Sequence, residues 1–511
     1  MATIPHEGGP LIGVTDVDST TSDIRLKKNA LTLWDSTAMA VTSTAPTYSM
    51  ASTMFLIAGA VGLVAPATIM VSFIFVLGIA IAYSYFNRTN PNCGASYSWL
   101  TQAISPFLGW FTGWIQLVAS ILFIITAPVL AGSNTLTFLA SFGWVPASAS
   151  GNTWAVALVG LVWLVVVTAM VAYGIRITAH FQTAMLIVEY VALLLFSTLA
   201  FVKVATVHPS GSAPVSWHWF NPLGFHSIGQ FAAGAVLAVF FYWGWDTAAN
   251  VNEETSNARV NPGRAGIIGM FLLLVVFLIA ATAMQSLLPQ QTIHDQGANA
   301  LQYFAGAVLP APWSYLMLLA LLSSTIAVLQ TTLLPATRLS FAMSRDRVWP
   351  RVFSIIHPRW QTPAIGTLIL AAICIVGLLL TTVSPNVNAT LTSMSSNIGV
   401  LVSFYYGITG FACIWYFRRV LTRSAATFFF AGVLPLVSGA FLFWIGVEVV
   451  LQGQQQSGWG YVLPVLICFV VGVPLTAVAW LANRPYFAYR PVAYDPDDAS
   501  SVAALAEAHA R

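Results

Sequence analysis

Phe231-Ala-Ala-Gly-Ala-Val-Leu-Ala-Val-Phe-Phe-Tyr-Trp-Gly-Trp-Asp246, running on through Thr247-Ala-Ala-Asn-Val-Asn252 to the pair Glu253-Glu254, decides how this chain folds. The stretch opens as a bilayer-spanning helix, gathers five aromatics between Phe240 and Trp245 around Gly244, and then sets a carboxylate where the apolar run should continue. A carboxylate at the centre of a membrane helix costs roughly 2.5–3.5 kcal/mol, and glycine in a helix interior about 1 kcal/mol relative to alanine. Lipid satisfies neither freed backbone nor charge, so both penalties together point to an interrupted helix inside a protein-lined cavity. The other reading places Asp246 at the cytoplasmic interface, close before Glu253.

The rest of the chain supplies the membrane context. Of 511 residues, 58% are hydrophobic and 7% charged, whereas a soluble domain carries about 25% charged residues. The chain is therefore a polytopic membrane protein. Apolar runs of about 20 residues fall at 33–58, 63–86, 107–138, 153–173, 179–204, 228–252, 264–287, 312–343, 363–382, 392–417, 425–450 and 459–482, which predicts twelve spans.

Positive residues orient them. With the amino terminus in the cytoplasm, every lysine and arginine except Lys203 falls on the cytoplasmic side, from Arg25, Lys27 and Lys28 through Arg88, Arg176, Arg259, Arg338, Arg345 and Arg418 to Arg490 and Arg511. The net charge of +3 is thus a topology signal, and no nucleic-acid partner is expected. The tail at 1–30 is polar and acidic without the layout of a cleaved signal peptide, the transporter domain covers 31–483, and 484–511 forms a second tail. Both tails are expected in the cytoplasm of a cell-membrane protein. Cys374, Cys413 and Cys468 lie in spans and Cys93 in a cytoplasmic loop, so no disulfide is expected.

A second interruption lies in the first span, 33–58, rich in hydroxyls and carrying Pro46 at mid-membrane. Proline removes an amide and collides with the carbonyl one turn earlier, which frees backbone groups near Thr42 to Thr44; a simple kink is the alternative. Interruptions in spans one and six are five helices apart, and an odd offset inverts the second half. Interrupted segments at matching positions in two halves indicate inverted repeats with a midplane site between them. The predicted fold is an all-α polytopic membrane protein with a 5+5 inverted repeat, about 31–204 and 228–417, broken helices one and six, and two peripheral helices.

Four segments then resemble one family. Pro91-Asn-Cys-Gly-Ala-Ser-Tyr97 is similar to the Pro-x-x-Gly-Gly-x-Tyr segment of the amino acid-polyamine-organocation superfamily of permeases, with Ala95 at the second glycine. Phe241-Tyr-Trp-Gly-Trp-Asp246 resembles its Phe-x-Gly-Phe-Glu signature, with Asp for Glu. Glu253-Glu-Thr-Ser-Asn-Ala-Arg-Val-Asn-Pro262 resembles its Glu-Glu loop, and Ala336-Thr-Arg-Leu-Ser-Phe-Ala-Met-Ser-Arg-Asp346 its Ala-x-Arg-x-x-x-Ala-Met-x-Arg-Asp stretch. The resemblance runs from about Leu31 to about Asn483 and implies the leucine-transporter-like fold. Thr44-Ala-Pro-Thr-Tyr-Ser49 departs from the family's Gly-Ser-Gly type of break, which leaves the substrate class open.

Residues take roles on that basis. The backbone and side chains of Thr44, Ala45, Pro46 and Thr47 with Phe240, Phe241, Trp243 and Gly244 form the expected substrate site; the aromatics are equally suited to packing. Exposed amides at a half-helix amino terminus suit a substrate carboxylate and exposed carbonyls an ammonium group. Glu189 stands where several relatives carry a membrane-embedded lysine. Intramembrane acids mark relays or ion paths, so Glu189 and Asp246, with Ser323 and Ser324 of span eight, are the expected ion- or proton-coupling residues; quiet hydrogen bonding between helices is the alternative for each. Desolvation disfavours the charged form of a carboxyl between helices, which suits Glu189 to carrying a proton. Ser393, Ser395, Ser396, Asn397, Tyr405 and Tyr406 of span ten line a vestibule or pack.

Other classes fit less well. The three lysines, at 27, 28 and 203, follow no Gly-x-x-x-x-Gly, which excludes the phosphate loop of an ATP-driven pump. Eight histidines are scattered through tails and loops, so no enzyme, metal site or cofactor is expected. There is no repeated filter loop of a channel. The sequence therefore predicts a secondary active transporter of amino acids, proton-coupled, working by alternating access on a small-molecule substrate. A polyamine or cationic amine carrier or exchanger, or a non-transporting nutrient sensor, is the alternative. Substrate side chain, coupling ion, direction and oligomeric state stay open.

Overall fold

The computed structural model describes residues 25–383, 387–498 and Ser501, and of 387–396, 456–457 and 460–461 the backbone alone. The expectations for 1–24, for the end of the second tail and for the side chains of Ser393, Ser395 and Ser396 lie outside the described residues. No strand occurs among the described residues, and the one sheet-like pairing is an isolated parallel bridge between Leu31 and Thr255.

The helices in order are α1 (Leu33–Thr44), α2 (Pro46–Val61), α3 (Ala65–Thr89), α4 (Ser96–Ala103), α5 (Pro106–Ser141), α6 (Thr153–Tyr173), α7 (Ile175–Val207), α8 (Ile228–Phe241), α9 (Thr247–Asn250) and α10 (Asn261–Leu287). They continue with α11 (Gln290–Gln296), α12 (Ala300–Val308), α13 (Tyr315–Arg345), α14 (Ala364–Thr381), α15 (Val387–Phe417), α16 (Ala425–Thr427), α17 (Leu434–Ser457), α18 (Trp459–Ala482) and α19 (Arg484–Phe487). Ten helical stretches among the described residues are long and apolar enough to cross a membrane. The first two expected spans lie in a single 57-residue stretch, Leu33–Thr89, because a 3-10 turn at Gly62–Val64 keeps helical bonding where a loop was expected. The sixth falls in the shorter apolar helix Ile228–Phe241.

Local chemistry sets the ends. Thr32 and Asp35 form a reciprocal capping box at the start of α1, with bonds of 3.2 and 2.8 Å, which satisfies two otherwise orphaned amides. The bundle interior belongs to α13, buried along nearly its whole length, while α6, α7 and α18 turn Val162, Val191 and Val470 outward at 59–67% exposure. Apolar residues facing outward at this level are what a lipid-facing surface requires.

Three of the family-like segments converge at the arginine-rich end. Arg338 grips Glu254 through two bonds of 3.0 and 3.1 Å, both side chains fully buried. Arg345 grips Glu253 through two bonds of 2.9 Å, and Glu253 Oε1 also accepts the Cys93 N–H at 3.0 Å. Burial alone would raise the Glu253 carboxyl; the Arg345 guanidinium and these donors outweigh it and hold it below the ordinary glutamate range. Asn250 and Asn252 complete the knot, donating to Cys93 O at 2.9 Å and Asn87 Oδ1 at 2.8 Å. Residues far apart in sequence thus close one end of the bundle through charge-assisted, bidentate bonds.

Candidate functional site

Two interruptions meet above that closed end. α1 stops at Thr44 because Pro46 has no N–H to continue the ladder. Ala45 turns left-handed (φ 50°, ψ 71°), and its own N–H takes the Thr42 carbonyl at 3.1 Å. Pro46 then opens α2 at a position where a missing N–H does no harm. In the second interruption α8 ends at Phe241, residues 242–246 form a turn with Gly244 at φ +119°, and helix resumes at Thr247. A Cβ on Gly244 would lie 2.4 Å from the Ser43 carbonyl oxygen, so the two breaks touch backbone to backbone. Only glycine permits both that dihedral and that approach.

A third proline completes the site. Pro335, inside α13, cannot donate to the carbonyl four residues earlier, and that carbonyl is Thr331 O. It faces Thr247 Oγ1 at 3.3 Å and Ser43 Oγ at 3.4 Å, and those two hydroxyls lie 2.7 Å apart. One atom from each of three irregular helices therefore meets at a single point.

Between these elements lies a small cavity bounded by Ser43, Trp243, Gly244, Asp246, Thr247 and Tyr405. Gln116, Ser120 and Thr332 add polar groups from α5 and α13. Asp246 is 5% exposed. Tyr406 donates to its Oδ1 at 2.9 Å and Tyr405 to its Oδ2 at 3.2 Å, while Trp243 Nε1 fixes the Tyr405 hydroxyl at 2.7 Å. No cation pairs with Asp246 among the described residues, and no lysine, arginine or histidine lines the cavity. A carboxylate accepts about four hydrogen bonds, so each oxygen keeps capacity toward the cavity.

The expected site residues divide. Trp243, Gly244 and Asp246 line the cavity. Thr44, Ala45, Pro46 and Thr47 form the break beside it, and Thr44 O is taken by the Ser49 hydroxyl at 2.7 Å. Phe240 stacks on Trp243 with centroids 6.0 Å apart, whereas Phe241 is fully buried against Phe277 at 3.9 Å, away from the cavity. Asn397 is buried.

Glu189, fully buried on α7, lies at the other half of the first break. Its Oε2 accepts the Thr47 N–H at 3.3 Å and the Ser324 hydroxyl at 2.6 Å, and Ser324 Oγ in turn accepts the Tyr48 N–H at 3.1 Å. The amino terminus of α2 is thereby capped by the chain's own carboxylate, a favourable place for negative charge. Glu189 Oε1 has no partner among the described residues. Ser323 does not join this group; its hydroxyl bonds Ala320 O at 2.8 Å, and Thr325 bonds Leu321 O at 2.7 Å. Sequence reasoning missed Gln116, Ser120, Thr331, Thr332 and Pro335. Of these only Pro335 carried a signal, since a proline inside a helix names the carbonyl it frees.

The chain is similar in sequence to several known transporters. The chain is 25% identical over 400 residues to the low-affinity putrescine importer PlaP of Escherichia coli (strain K12), covering 76% of this chain and 82% of that protein. It is 22% identical over 406 residues to the methylthioribose transporter of Bacillus subtilis (strain 168), covering 76% and 83%. Against the branched-chain amino acid permease BcaP of the same organism it is 24% identical over 368 residues, covering 69% and 75%. The family profile described as amino acid permease matches residues 31–473, and with that match over most of its length this multi-pass membrane protein belongs to the amino acid permease family.

Proposed function

We propose that the chain is a secondary active transporter of amino acids or related amines in the cell membrane, proton-coupled and working by alternating access. Its twelve spans form a 5+5 inverted repeat plus two peripheral helices: 33–89 counts as two spans, and 228–252 as one broken span whose halves are α8 and α9. Both termini face the cytoplasm, in keeping with the distribution of lysine and arginine. The observation that carries the reading is the meeting of two interrupted helices at a cavity that holds an unpaired carboxylate. Broken helices supply a midplane site with unpaired backbone groups, and a lone intramembrane acid marks a substrate or ion path.

Coupling is assigned to Glu189. It lies between α7, α2 and α13 with one oxygen free, so gain or loss of a proton there alters the cap on α2 and with it the geometry of the first break. Asp246 serves the substrate side. Phe240, stacked on Trp243, acts as the lid over the bound ligand. Uptake is to be measured in reconstituted vesicles under an imposed pH gradient and, separately, an imposed sodium gradient. Accumulation driven by the pH gradient and lost in Glu189→Gln supports the reading; accumulation that follows sodium and ignores pH refutes proton coupling, and binding without uptake under either gradient refutes the carrier.

A further inference from the structure

The two breaks hold two acids and no base. Asp246 faces the cavity, and among the described residues the side chains that donate to it are two phenols. A buried carboxylate without a cation carries a large desolvation penalty that a cationic ligand relieves. Trp243 and Tyr405 also line the cavity, and aromatic rings attract an ammonium group.

The amides that open α2 are already taken. Pro46 has no N–H; Thr47 donates to Glu189 Oε2, Tyr48 to Ser324 Oγ, and Ser49 to Ala45 O at 2.8 Å. The first four residues of α2 therefore offer no free donor, although a half-helix amino terminus is where a substrate carboxylate would be received. An amino acid brought to this cavity would set its carboxylate beside Asp246, with the first-turn donors of α2 already taken and no basic side chain on the cavity wall.

We infer that the carrier selects cationic amines that bear no carboxylate, with Asp246 as their counter-charge and Glu189 as a built-in occupant of the amide site that excludes an α-carboxylate. The inference rests on the carrier reading above and narrows its substrate class. It makes Glu189 a specificity residue acting through the first break, distinct from the charge partner Asp246.

The test uses the purified full-length chain and pairs of compounds that differ only in the carboxyl group: ornithine and putrescine, lysine and cadaverine, leucine and isoamylamine, phenylalanine and phenethylamine. Calorimetric titration should show the amine binding about tenfold or more tighter than its amino acid in at least one pair. Asp246→Asn should weaken that amine by about tenfold or more, with the amino acid little changed. Glu189→Ala, which releases the Thr47 amide and the Ser324 hydroxyl, should narrow the ratio about tenfold; Glu189→Gln, which keeps the acceptor and the shape, should narrow it about threefold by removing repulsion alone. Amino acids binding as tightly as their amines in every pair would overturn the inference, as would a ratio unmoved in the folded Gln variant. If no compound binds the parent chain, the carrier reading falls and takes the inference with it. If amines bind but no gradient drives their uptake, the carrier reading falls alone.

Discussion

Gly244→Ala is the smallest change that should disable the site. The added Cβ would lie 2.4 Å from Ser43 O and 2.6 Å from Ser43 C, both backbone atoms that no rotamer change can move aside. Ordinary contact begins near 3.4 Å, so the two breaks must part by about 1 Å. A positive φ of +119° adds strain of about 1–3 kcal/mol for a residue with a Cβ, and overpacking of a filled interior costs about 1–3 kcal/mol more. A total of about 2–6 kcal/mol is a large share of a typical protein's stability, so the variant should melt well below the parent. A 1 Å displacement of positioned groups can cost about 100-fold in function, and the ligand affinity of the folded fraction should drop by that order. Because the contact at Ser43 is with backbone, stability and binding should fall together, and alanine suffices. Thermal melting with size-exclusion chromatography reads the first quantity and calorimetric titration the second. A Gly244→Ala protein with the parent's melting temperature and the parent's affinity would refute the contact between the breaks.

Removing one partner of the buried Arg338–Glu254 pair by Arg338→Leu should cost about 3–5 kcal/mol, while Arg338→Leu with Glu254→Leu should regain most of it; melting curves of the single and double variants check this, and equal losses in both would refute the pairing. Because the Glu253 carboxyl is held below its ordinary value, its contribution is present above the unfolded value near 4.5 and disappears as pH falls through the folded value. Glu253→Gln should therefore flatten the acid side of the stability profile without shifting the neutral plateau's slope, as read by melting temperature against pH. A cysteine introduced at Asn261 should resist an impermeant thiol reagent applied outside intact cells; rapid labelling would contradict the cytoplasmic placement of that loop.

Periodicity and composition were enough for the helices, since long apolar runs leave one secondary structure available in lipid. The interruptions were legible too, because Pro46 and Gly244 each break a local rule whose violation has a fixed structural result. The partners of the irregular groups were not. Nothing adjacent to Asp246 in sequence says that Tyr405 and Tyr406, about 160 residues on, will donate to it; the tyrosines of span ten were candidates for a vestibule or for packing. Glu189 was marked as a buried acid, yet its attachment to the Thr47 amide depends on the crossing of α7 and α2, which no local pattern encodes. Phe240 and Phe241 show the same limit: one helical step apart, one stacks on Trp243 and the other packs against Phe277.

The meeting of Ser43, Thr247 and Thr331 O contains a proton shortage. Three close oxygen pairs are drawn among them, but two hydroxyls bring only two hydrogens. At any instant one hydroxyl donates to the other and the second donates to the carbonyl, so one of the three pairs is always unbridged. The sequence of donation can run from Ser43 to Thr247 to the carbonyl or from Thr247 to Ser43 to the carbonyl, and a rotation of two O–H bonds exchanges them. Lone pairs outnumber hydrogens in either direction. An ammonium group arrives with up to three hydrogens and no lone pair, which is the complement of this inventory, whereas a carboxylate or a carbonyl arrives with lone pairs alone and would deepen the shortage.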